Sequence, residues 1–228
     1  MKNIIAGILL LSFPLLASAE LSIISEILIG KTQNKIHSTL HTDVSDELYS
    51  SSLKSDSFGF RLGVNFTNHF TLELAKHDYG NVVNNLTLSF PTMATPSPSG
   101  PIILPPEFDT IVEANIPIEI ESIKLGVKGE VELFTNVSVN ARIGIAHWQY
   151  GEFTPRKLTT VGASSNGGES GNDIYYSLGA EYNFTENFYL GFEYTLFTIN
   201  ENSDDQSSVN GSYKHAIKDL SLVLGWAF

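Results

Sequence analysis

His215-Ala-Ile-Lys-Asp-Leu-Ser-Leu-Val-Leu-Gly-Trp-Ala-Phe228 ends the chain and decides how the rest is read. From Leu220 the even positions Leu220, Leu222, Leu224, Trp226 and Phe228 are all apolar, and the intervening Ser221, Val223, Gly225 and Ala227 are mostly small or polar. Successive side chains of a strand point to opposite faces, so the stretch offers one greasy face and one face suited to water or tight packing.

The same alternation recurs upstream. Phe58, Phe60, Leu62, Val64 and Phe66 oppose Gly59, Arg61, Gly63 and Asn65, and Phe70, Leu72 and Leu74 oppose Thr71, Glu73, Ala75 and His77. Eight strands are expected, at about 21–33, 55–66, 70–80, 118–133, 137–150, 173–184, 188–199 and 215–228, each near the ten residues that cross a bilayer at a tilt. Phe66-Thr-Asn, Phe134-Thr-Asn and Phe184-Thr-Glu recur at three junctions, where tight turns force antiparallel neighbours. The alternate junctions, about 34–54, 81–117, 151–172 and 200–214, read as long loops.

Short turns at one end and long loops at the other are the asymmetry of a transmembrane barrel, with turns periplasmic and loops extracellular. Two aromatic girdles are expected: Phe66, Phe70, Phe184, Phe188, Trp226 and Phe228 at the turn end, and Phe58, Trp148, Tyr150, Tyr176, Tyr194 and Phe197 at the loop end. A soluble barrel of the lipocalin kind would have to turn the bulky Leu and Phe set inward.

Met1-Lys-Asn3, the apolar run Ile4–Leu16 and Ala17-Ser-Ala19 form a secretory signal peptide, because the run is too short to span and ends at a small-residue cleavage motif. Residues 1–19 are expected to be removed, leaving 20–228 as one barrel domain. Losing Lys2 takes the net charge of −12 to −13, which argues against nucleic acid as a partner. The absence of cysteine leaves an exported chain to be held by its own pairing and packing. With no later apolar run long enough for a helix, any crossing must be by strands closed into a barrel.

Phe58-Gly-Phe-Arg-Leu-Gly-Val-Asn-Phe66 with Phe70-Thr-Leu-Glu-Leu74 and Asp78-Tyr-Gly80 resembles an early hairpin of OmpA-like eight-stranded outer-membrane barrels. Tyr176-Ser-Leu-Gly-Ala-Glu-Tyr182 with Phe188-Tyr-Leu-Gly-Phe-Glu-Tyr194 resembles the later counterpart. The resemblance implies an all-β, eight-stranded antiparallel up-and-down barrel in the bacterial outer membrane. It also implies contact with outer-membrane lipid and lipopolysaccharide, delivery by periplasmic chaperones to the barrel-assembly machinery, and a monomer. Trp226 and Phe228 would be the assembly signal. Many relatives continue into a peptidoglycan-binding domain; the sequence ends at Phe228, and no cell-wall tether is expected.

Inward-facing charges are expected at Glu26, Arg61, Glu73, Lys124, Lys128, Glu130, Glu132, Arg142, Glu181, Glu193 and Asp219. The turn registers set Gly63 across from Glu73, Gly191 across from Glu181 and Gly179 across from Glu193. An eight-stranded interior is just wide enough for its own side chains, so these charges are expected to form a filled ion-pair network. A gated ion path through the same charges is the alternative.

Six of the nine prolines fall in Pro91–Pro106, and Pro101, Ile102, Ile103, Leu104 and Phe108 form an apolar candidate binding patch. His77, His147 and His215, with Asp78 and Asp219 nearby, occupy strand tops, yet no serine or acid is spaced to fix a triad. His37 and His41 would share a metal only on a helix. No catalytic, cofactor or metal residue is therefore assigned, and no cofactor is expected. The sequence supports a surface protein with an envelope role and loop-mediated adhesion to a host-cell or matrix ligand. A small porin for small or hydrophobic solutes is the alternative, and a lipid-modifying enzyme a more distant one.

Overall fold

The structure is a computed structural model, described over residues 22–41, 46–90, 110–151, 170–202 and 210–228. Eight strands follow one another: β1 Ser22–His41, β2 Asp46–Asn65, β3 Phe70–Phe90, β4 Thr110–Phe134, β5 Val137–Tyr150, β6 Ser170–Asn183, β7 Phe188–Asn202 and β8 Asn210–Ala227. Each pairs antiparallel with its sequence neighbour, and β8 returns to β1, closing the barrel. The closing seam runs from Ile24 opposite Ala227 to His41 opposite Asn210, and the Phe228 N–H donates to the Ile23 carbonyl at 2.8 Å. Closure leaves no unpaired strand edge to face lipid.

Two turns are built alike from the same sequence frame. In Phe66-Thr-Asn-His-Phe70 and Phe184-Thr-Glu-Asn-Phe188 the threonine hydroxyl accepts the N–H of the second phenylalanine, at 3.0 Å in both. The third member of the repeat, Phe134-Thr-Asn, lacks the second phenylalanine and turns more tightly. There Asn136 adopts φ 69°, a left-handed conformation that asparagine tolerates better than most residues.

The strands run further than their alternation suggests. β1 and β2 stay paired up to His41 opposite Asp46, and β3 and β4 up to Phe90 opposite Thr110, so most of 34–54 and much of 81–117 is ladder rather than loop. The reason lies in the sign of the pattern. Toward the turns, large apolar side chains point outward and charges inward; beyond Ile29, Phe58, Ile123 and Leu220 the phase persists with the faces exchanged. Ile36, Ile118, Ile120, Ile199 and Ile217 are buried inside, while His37, Glu119, Asn200 and Lys214 are exposed outside.

Within this far part the ladder between β2 and β3 stops at Phe58 opposite Asp78, and that between β6 and β7 at Tyr175 opposite Phe197. The wall continues as two sheets, β7-β8-β1-β2 and β3-β4-β5-β6, packed on one apolar core. That core corrects the expected upper girdle. Phe58, Tyr176 and Tyr194 do face outward, but Trp148, Tyr150 and Phe197 are 2 %, 1 % and 3 % exposed and point inward. Residues 1–19 and the patch Pro101–Phe108 lie outside the described residues.

Candidate functional site

The interior near the turns is a charge network drawn from seven strands, β1 to β7. Arg142 of β5 reaches four carboxylates: Nε–Glu73 Oε2 at 3.0 Å, Nη1–Glu193 Oε2 at 3.1 Å, Nη2–Glu26 Oε1 at 3.2 Å and Nη2–Glu181 Oε1 at 3.4 Å. Arg61 of β2 pairs with Glu26, with Glu193 at 2.8 Å and with Glu73 at 3.7 Å. Lys128 of β4 pairs with Glu181 at 2.8 Å and with Glu130 at 2.7 Å. Inward charges from neighbouring strands converge because alternation turns every second side chain to an axis only a few ångströms away.

Glycines make the room. Gly63 lies across from Glu73, Gly191 across from Glu181, and Gly179 across from both Glu193 and Asn140. Uncharged side chains join the network as well, Thr195 donating to Glu193 Oε1 at 2.9 Å. The Tyr189 hydroxyl donates to Glu26 Oε1 at 2.5 Å, and Asn140 Nδ2 donates to Glu181 Oε1 at 2.6 Å. Their phase is the signal: Asn140 precedes Arg142 by two residues, and Tyr189 precedes Gly191 by two.

The other candidate residues sit apart. Glu130, with a side chain 30 % exposed, lies at the turn-end mouth beside a cavity of about 170 Å³, and Glu132, paired with Ser138 of β5, is exposed at the same end of the wall. Asp219 accepts hydrogen bonds from Thr32, Ser57 and Ser221 at 2.5–2.6 Å, and His77 Nε2 is 3.6 Å from it. Lys124 Nζ meets no hydrogen-bond acceptor among the described residues; it lies 5.2 Å from each of the Tyr79 and Tyr175 ring centroids.

The strand-top histidines do not converge. His77 stacks on Tyr79 inside, His215 joins Tyr150 at 2.6 Å and Asn34 at 2.9 Å, and His147 faces outward to Asn172 at 3.0 Å. Asp78 is exposed and accepts the Gly80 N–H. Ser57 Oγ bonds Asp219 directly, so histidine does not stand between them as a triad requires. His37 and His41 share one strand, and a spacing of four along a strand is roughly 13 Å, too far for one ion.

Outside, Ile23, Ile29, Phe60, Leu62, Leu72, Leu125, Ile143, Leu178, Phe192 and Trp226 are all about 40–70 % exposed in one continuous belt. In water such a belt would be an aggregation surface; in lipid it is the solvated face. Above it runs a polar ring, with Lys31 paired to Asp56, Lys76 paired to Glu121 at 2.9 Å, then His147, Asn172 and Lys218. An apolar belt outside a closed barrel with charges paired inside defines a transmembrane β-barrel.

Residues 32–228 match the family model of the outer membrane protein beta-barrel domain. The chain belongs to that family. OprG from Pseudomonas aeruginosa, an outer membrane protein, is similar in fold at 12 % identity and TM-score 0.51, covering 90 % of this chain and 95 % of that one. Neisserial surface protein A matches at 12 % identity and TM-score 0.44, over 92 % and 98 %. Ail, the attachment invasion locus protein of Yersinia pestis, solved with the heparin analogue sucrose octasulfate, matches at 15 % and 0.41, over 90 % and 99 %. No curated protein sequence matches the chain.

Proposed function

We propose that this chain is a bacterial outer-membrane surface protein with an envelope role, whose links at the far end bind a host-cell or matrix ligand. The observation that carries this is the exchange of faces above the polar ring. A wall polar outside and apolar inside is a water-soluble stalk, and the β1 strand that carries it runs ten residues past Lys31, roughly 25 Å along the barrel axis. Such a stalk carries the strand ends His41, Asp46, Phe90, Thr110, Asn202 and Asn210 clear of the lipid, which a barrel serving only as a membrane plug does not need. The interior supports the same reading over a porin: Arg61 and Arg142 are held by carboxylates across the bore, with a packed apolar core above them.

On this reading the turns are periplasmic and the first 19 residues are a removed signal peptide. Trp226 and Phe228 are what the barrel-assembly machinery reads after periplasmic chaperones deliver the chain. The partners are lipid and lipopolysaccharide around a monomer, and the ligand contact falls first on Pro101, Ile102, Ile103, Leu104 and Phe108. The test is adhesion of bacteria displaying the intact chain, or a version with residues 84–113 replaced by a short Gly/Ser turn, to host cells and matrix proteins. Barrel assembly is checked in both by a heat-dependent gel shift. Binding lost with the segment supports the reading; binding by neither version rejects it, and conductance in planar bilayers would then favour the porin.

A further inference from the structure

The polar ring is not evenly charged. Of six outward lysines in the described residues, five lie on the sheet β8-β1-β2: Lys31, Lys35, Lys54, Lys214 and Lys218, with Asp56 as the one outward acid whose side chain is described there. The adjoining wall, β3-β4, carries Asp78, Glu119 and Glu121 against Lys76. In a chain with a net charge of −12, this gathers basic side chains on one side of the ring.

Register makes the gathering compact. Lys54 and Lys218 both lie opposite Gln33 of β1, one on each side, so their Cα atoms are about 10 Å apart. Lys35, two residues on from Gln33, lies diagonal to both. The three form a triangle one to three outward positions above Phe58, Ile29 and Leu220, the last apolar side chains of the belt. The lipid headgroup layer occupies about that height above the hydrocarbon.

We infer that Lys35, Lys54 and Lys218 form a site for the phosphates of an outer-leaflet glycolipid whose acyl chains lie along Ile29, Phe58 and Leu220. The belt supplies the apolar contact and the triangle the counter-charge, so a phosphate carried on an acylated sugar fits both at once. A sulfated polysaccharide would share the charge chemistry but not the belt. The inference rests on the proposed outer-membrane setting with lipopolysaccharide as a partner and assigns the residues of that contact; it is independent of the adhesion reading, because it concerns the wall and not the links.

The full chain, folded in detergent micelles, would be titrated with bisphosphorylated lipid A, its dephosphorylated form, inorganic phosphate and heparin fragments, following the heat-dependent gel shift. Bisphosphorylated lipid A should raise the unfolding midpoint saturably. Lys35→Gln/Lys54→Gln/Lys218→Gln together should weaken that binding at least roughly tenfold, each lysine near an anionic surface contributing measurably, while Lys76→Gln leaves it unchanged. If the triple variant fails to assemble, Lys54→Glu alone gives the test, since that exposed side chain has no packing role. Equal binding by variant and parent, or equal stabilisation by the dephosphorylated lipid or by inorganic phosphate, overturns the site. Tighter lysine-dependent binding of heparin fragments overturns the glycolipid and assigns the patch to sulfated polysaccharide.

Discussion

Arg61 and Arg142 hold Glu193 between them: Arg61 Nη2 lies 2.8 Å from Oε1 and Arg142 Nη1 lies 3.1 Å from Oε2. Both also pair with Glu26 and Glu73, so the two guanidiniums and three carboxylates form one unit. Removing one cation strands buried carboxylates. Arg142→Met should therefore cost about 3–5 kcal/mol, the range for breaking a buried pair on one side. Urea unfolding of the barrel in micelles measures it, and adding Glu26→Gln should recover part of the loss.

The position of the lipid band makes a second prediction. Leu62 is outward and well inside the belt, whereas Ser50 is outward on the same strand but twelve residues further along, beyond the polar ring. Leu62→Arg should destabilise by roughly 2–4 kcal/mol, as expected for an arginine facing lipid near the midplane, and Ser50→Arg by about 0–1 kcal/mol. Reversible unfolding of each variant in lipid vesicles reads the difference directly. A similar cost for both would mean that lipid reaches the far part of the wall.

Tyr189 depends on the absence of a side chain opposite it. It pairs across the ladder with Gly225, and a Cβ built there would lie within 2.4 Å of three ring atoms of Tyr189. Gly225→Ala must displace the ring and break its hydroxyl bond to Glu26, at a cost of about 1–3 kcal/mol for overpacking. The same unfolding measurement applies, and Gly225→Ala combined with Tyr189→Phe should cost less than the two changes summed.

How far these relationships were legible from sequence depends on which face was apolar. Around Phe58–Phe66 the outward residues are large and the inward ones glycine or charged, so period, face and the Gly63–Glu73 pairing could all be read without coordinates. Around Asn34–His37 and Asn81–Val82 the period of two persists, but Ile36 and Val82 lie inside; read against a lipid-facing template, these segments lost their signal and passed for loop. Trp148 and Tyr150 failed for the same reason. An aromatic near a strand end suggests an interface, and only the phase they share with Ala146 and Arg142 reveals that they point inward. The gathering of Lys35, Lys54 and Lys218 was beyond sequence, because it needs the β8-to-β1 register, which joins the two ends of the chain.

The chain's two tryptophans turn that inversion into a spectroscopic test. Trp148 is 2 % exposed inside the far core, its Nε1 donating to Asp173 Oδ2 at 2.7 Å, while Trp226 is 50 % exposed on the outer face near the turns. A quencher carried on acyl chains reaches only a ring that faces lipid, and an aqueous quencher only one that faces water. Trp148→Phe leaves Trp226 as the reporter, and its emission should fall severalfold in vesicles containing brominated lipid. Trp226→Phe leaves Trp148, whose emission should stay blue-shifted and resist both brominated lipid and aqueous acrylamide. Had Trp148 belonged to an upper girdle, brominated lipid would quench it like Trp226. Had the far core been open to water, acrylamide would reach it. Resistance to both agents requires a ring packed in an apolar core between the two sheets, the arrangement on which the stalk reading depends.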